Sequence, residues 1–65
     1  MSQLPIPQFV IDDLIRFISD NYRDGLPNSL LIAQSFILKY PDYGKEFGLS
    51  AINEVIEHGM KEGLF

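Results

Sequence analysis

Residues 49–65, LSAINEVIEHGMKEGLF, decide the fold. At ~100° per position Ile52, Val55, Ile56, Gly59 and Met60 fall on one side, while Ser50, Asn53, Glu54, Glu57, His58 and Lys61 fall on the other. That is an amphipathic helix with one face for a core. Ser50 can accept a hydrogen bond from a free amide as N-cap, and Gly63 stops the segment. The spacing predicts a helix over about 50–62. Gly59 is the anomaly, because glycine inside a helix costs ~1 kcal/mol relative to alanine. The expected compensation is the close approach of another helix, or of an aromatic ring, at that point.

Working back along the chain, the punctuation marks two more helices, about 8–23 and about 28–40. Pro5 and Pro7 precede the first, Gly25-Leu26-Pro27 separates the two, and Pro41 to Gly48 separates the second from the third. Pro7 suits a first helical position, Gly25 a C-terminal left-handed cap and Asn28 an N-cap. Residues 1–7 read as an extended arm. In the first helix Val10, Ile11, Leu14, Ile15, Phe17, Ile18 and Tyr22 fill one side, and Asp12, Asp13, Arg16, Ser19 and Asp20 the other. No segment sustains a period of two, so strands are not expected. The predicted architecture is all-α: a compact three-helix bundle in one domain, 1–65.

The second helix has a different composition. Leu30, Leu31, Ile32, Ala33, Phe36, Ile37, Leu38 and Tyr40 leave only Gln34, Ser35 and Lys39 as polar interior positions. A helix apolar nearly all round is normally covered on most sides, and two neighbours cannot cover this one. With Leu30, Ala33 and Ile37 placed on the core side, the surplus lies around Leu31 and Ile32, beside Ser35 and Lys39. The connection 41–48 can be a loop or a short helix. Tyr43 and Phe47, four apart, would plug the end of the core if it is helical. Set among Asp42, Lys45 and Glu46, they would otherwise anchor a protein partner.

Composition narrows the function. A chain of 65 residues exposes so much of its surface that its core is marginal without a supplement. With no cysteine there are no disulfides, thiol nucleophiles or thiolate metal sites. The single histidine cannot build a multi-histidine site, which leaves a partner chain as the supplement. An apolar fraction of 46%, with five phenylalanines and three tyrosines, is that of a folded chain. Nine acids against five bases give a net charge of −4, which repels phosphate backbones and anionic headgroups. Met1 to Gln8 lacks a signal pattern, and no apolar run could span a bilayer. A cytoplasmic protein is the expectation, without membrane or cofactor.

Three helices, the last ending in Gly63-Leu64-Phe65, resemble the tri-helical core of helix-turn-helix and winged-helix domains. "SLLIAQSFILKYP" would then be the supporting helix and "LSAINEVIEHGMKEGLF" the recognition helix. Two departures stand out. Residues 41–48 are long for the tight turn of the simplest members, and the chain stops where a wing hairpin would begin. The resemblance implies a fold, and by itself no activity.

DNA recognition would need base-edge donors and phosphate-binding cations on the third helix. Ser50, Asn53 and Lys61 are the candidates, set among Glu54, Glu57 and Glu62. Glu54, His58 and Glu62, four apart in succession, have a spacing that can hold a metal or orient an imidazole. Further ligands or a pocket are missing, so the bland reading is a solvated face with two local pairs. No phosphate loop or nucleophile elbow occurs. The reading is a non-catalytic protein–protein interaction module, regulatory or inhibitory, expected to homodimerise through helix 28–40. Its partner-contacting residues would be Leu31, Ile32, Ser35, Lys39, Tyr43 and Phe47. The alternative is a helix-turn-helix DNA-binding regulator using helix 50–62.

Overall fold

The computed structural model describes residues 6–65, so most of the expected arm, residues 1–5, lies outside the described residues. Three helices form the bundle: α1 (Gln8–Asn21), α2 (Ser29–Lys39) and α3 (Pro41–Lys61). The described residues contain no strand. Ile6, placed in the arm by the sequence reading, is instead a buried core residue. Pro7 sits one position before α1, and its carbonyl accepts from the amides of Val10 and Ile11 at 3.1 and 3.2 Å. It can hold that place because a helix N-terminus has no use for its missing N–H.

α1 buries Val10, Ile11, Leu14, Phe17 and Ile18, the face its spacing predicts, but Ile15 stays exposed. It ends at Asn21, two residues before the expected boundary. Gly25 therefore lies in the following loop and does not cap it. The terminal carbonyls are taken up locally: the Tyr22 amide donates to Ile18 at 2.9 Å, and Asn21 Nδ2 donates to Phe17 at 2.8 Å.

Asn28 caps α2 as its position predicts, Oδ1 accepting from the Leu31 amide at 2.9 Å. The core side of α2 differs from the sequence reading. Ile32, Ala33 and Phe36 are fully buried, Ile37 is half-buried at the edge, and Leu30 is exposed. An amphipathic helix reveals its orientation through its polar stripe. α2 has almost none, so its rotation is set by the fit of side chains against its neighbours. Phe36 fills the centre, with the rings of Phe17, Tyr40 and Tyr43 at centroid distances of 5.5, 5.0 and 5.8 Å.

The chain turns sharply at Tyr40, whose carbonyl accepts from the amides of Tyr43 and Gly44 at 3.0 and 3.4 Å. The connection 41–48 is thus helical as far as Phe47, starting with Pro41 where a proline costs no hydrogen bond. Gly44 brings this segment against α2: a Cβ there would stand 2.6 Å from Ile37 Cγ2. α3 then bends at Gly48, whose φ of 87° and ψ of 155° are open only to glycine. Ser50, the expected N-cap, lies past this bend inside the helix. Ile52, Val55, Ile56 and Gly59 are buried, as the opening stretch predicts.

Beyond Lys61 the amides of Gly63 and Leu64 donate back to the carbonyls of Met60 and Gly59, at 3.4 and 2.8 Å. With Gly63 at φ 72° this is the reversal that commonly closes a helix. It folds Phe65 onto Gly59. A Cβ on Gly59 would reach within 2.6 Å of Phe65 Cζ and 2.9 Å of Cδ2. The compensation expected for a buried glycine is therefore an aromatic ring, supplied by the chain's own tail.

Candidate interaction surface

With Ile32, Ala33 and Phe36 turned inward, the opposite side of α2 faces outward. It carries Leu30, Leu31 and Leu38, exposed at 46%, 47% and 82%, around the exposed amide of Gln34. Half-buried Ile37 forms one margin. No residue from Pro27 to Leu38 is charged. Together the three leucines leave nearly two whole side chains in water, which an apolar covering surface would relieve by ~1.5–3 kcal/mol per full leucine.

Of the partner-contacting residues expected on α2, Leu31 lies on this face and Ile32 does not: its side chain is wholly in the core. Ser35 is half-buried at the far margin. Lys39 is turned toward the aromatic end, its Nζ 6.0 Å from the Phe17 ring centre and 5.9 Å from that of Tyr40. At such distances a cation is drawn to the ring faces, and its stem covers the core margin. Leu30, Gln34 and Leu38 were missed. Their signal was the four-residue spacing, hidden because so many other positions of α2 are apolar too.

Tyr43 and Phe47 plug the end of the core, the blander of their two readings. Both are half-buried and 6.4 Å apart at their ring centres, and Tyr43 also stacks on Tyr40. The Tyr43 hydroxyl donates to Asp13 Oδ2 at 2.7 Å, so Asp13 is engaged and not simply solvated as expected. That bond to a carboxylate, then burial, then the negative charge of Asp13, with a smaller push from the neighbouring Tyr40, raise the phenol to about 12. Phe9, exposed at 61%, meets the Tyr43 ring edge-on at 6.3 Å.

On α3, Ser50 and Lys61 are exposed, but Asn53 is half-buried and its Nδ2 donates to Glu57 Oε1 at 3.2 Å. The same carboxylate oxygen accepts from Ser29 Oγ at 3.4 Å. Glu57 thus engages the Asn53 amide on α3 and the Ser29 hydroxyl at the start of α2, while Ser50 stays exposed. Glu54, Glu57, His58 and Lys61 border an open hollow of about 540 Å³. Among the described residues no three His, Asp or Glu side chains are grouped to hold a metal ion. A second hollow, of about 570 Å³, lies between the end of α1 and the C-terminal tail, with Ile15, Arg23, Leu26 and Leu64 among its lining residues. No described helix is long and apolar enough to cross a membrane.

No protein-family model matches the chain, and neither a curated protein nor a solved structure is significantly similar to it.

Proposed function

We propose that the protein is a small non-catalytic interaction module, regulatory or inhibitory in use, that binds protein through the outward face of α2. The observation that carries this reading is the uncharged strip of Leu30, Leu31, Gln34 and Leu38, with Leu38 four-fifths exposed. Small soluble domains seldom leave clustered leucines in water unless the cluster marks an association site. The rest of the surface supports protein over nucleic acid. Asp12 and Asp20 on α1 and Glu54 and Glu57 on α3 are all exposed, and they would oppose phosphates on either side.

A photo-reactive residue in place of Leu38 tests the proposal. In expressing cells it is expected to trap protein, self or other, whereas the same residue in place of Asp12 traps little. Trapped nucleic acid, or equal protein yields from the two positions, would overturn it.

A further inference from the structure

We infer that the occupant of the α2 face is a second copy of this chain, laid antiparallel across it with a two-fold axis over Gln34. The inference rests on the reading of that face as an association site. Its apolar members are placed symmetrically about Gln34: Leu31 and Leu30 lie three and four positions before it, Ile37 and Leu38 three and four after it. At helical spacing all five share one side. A two-fold axis perpendicular to α2 at Gln34 sets Leu30 of one copy over Leu38 of the other, and Leu31 over Ile37. Self-pairing needs this symmetry, because the same patch must fit itself in reverse.

Gln34 completes the fit. An amide offers both a donor and an acceptor. Across the axis two of them satisfy each other reciprocally, where an apolar partner would leave each unpaired at the centre of the contact. The charges agree. Each copy carries −4, so two copies repel wherever their acids meet. The side of α2 opposite the core presents none. A basic partner would find no carboxylate there to read, and an acidic one would find no cation, since Lys39 is held toward Phe17 and Tyr40. From Leu30 to Leu38 the strip covers nine residues, roughly 13 Å of helix. An interface that short is at the small end of specific contacts, so the dimer is reversible and forms at elevated concentration.

The chain has no cysteine, so single cysteines report the geometry directly. On mild oxidation Gln34→Cys is expected to cross-link to itself, because positions on the axis come within the ~7 Å Cα separation that a disulfide allows. Leu30→Cys and Leu38→Cys alone stay uncoupled, but an equal mixture gives the 30-to-38 heterodimer. Sedimentation equilibrium up to roughly millimolar protein should show a dimer that Leu38→Glu weakens at least about a hundredfold, since both copies lose a leucine. Self-coupling at 30 and 38 would mean parallel pairing, and would overturn the geometry but not the association site. A monomer throughout would overturn the second copy. The site itself would still stand if the photo-reactive residue at position 38 traps a different protein. A dimer indifferent to Leu38→Glu would overturn both.

Discussion

Gly59→Ala sets two effects of opposite sign against each other at one atom. Alanine is the better helix former by ~1 kcal/mol, so at an open position the substitution stabilises. At Gly59 the new methyl would collide with the Phe65 ring, 2.6 Å from Cζ and 2.9 Å from Cδ2, so the ring must leave. The ring is half-buried, and losing that cover forfeits roughly half of the ~1.5–3 kcal/mol that a fully buried phenylalanine contributes. It cannot leave freely, because the Leu64 amide is bonded to the Gly59 carbonyl at 2.8 Å, and overpacking of this kind costs ~1–3 kcal/mol. The ring wins. The expected net effect is a loss of roughly 0.5–2 kcal/mol, or a fall in Tm of about 4–8 °C per kcal/mol. Thermal and urea melts of a double-mutant cycle isolate the cause. In a Phe65→Ala background the clash is gone, and Gly59→Ala should now stabilise by up to ~1 kcal/mol, a coupling of ~1–3 kcal/mol. If Gly59→Ala stabilises the parent protein, or acts identically in both backgrounds, the ring is not what the glycine accommodates.

Ile32→Glu should abolish helical circular dichroism and cooperative melting, because it places a charge in the fully buried core, while Leu38→Glu retains both. The Tyr43 phenol titrates at about 12 in the folded protein against 10.0 ordinarily, so the neutral form is the one folding favours. The stability it contributes is intact below pH 10.0 and is lost as pH rises through about 12; urea melts across that window should show the decline, and Tyr43→Phe should remove it. Gly48→Ala forces a side chain into a backbone conformation reserved for glycine and should cost roughly 1–3 kcal/mol in a denaturant melt; an unchanged midpoint would mean that the bend can straighten.

How much of this was legible depended on contrast. α3 declared its face because Glu54, Glu57, His58 and Lys61 alternate in helical phase with Ile52, Val55, Ile56 and Gly59. A close neighbour over Gly59, a helix or a ring, could be anticipated because a glycine on the apolar stripe of a helix needs one. The identity of that neighbour could not, since it depends on the reversal at Gly63. α2 hid its face for the opposite reason. Without a polar stripe, Ile32 and Leu30 are chemically equivalent, and only the placement of Phe36 against Phe17, Tyr40 and Tyr43 separates them. The short helix in 41–48 was obscured by Pro41, Gly44 and Gly48, residues that usually break helices. Here each occupies a place where its peculiarity is tolerated: the first turn, the contact with Ile37 and the bend. The bond from Tyr43 to Asp13 spans 30 positions, and no local pattern announces it.

The turn at Tyr40 bears on how the chain folds. Gly44 meets Ile37, Tyr43 stacks on Tyr40, and the Tyr40 carbonyl takes two amides, all between residues a few positions apart. Contacts so near in sequence close small loops at little entropic expense. The corner joining α2 to α3 can therefore assemble before α1, whose link through Asp13 requires a much longer closure. In a kinetic mutational analysis, substitutions at Ile37 and Tyr40 should slow folding, whereas those at Asp13 and Leu14 should mainly hasten unfolding.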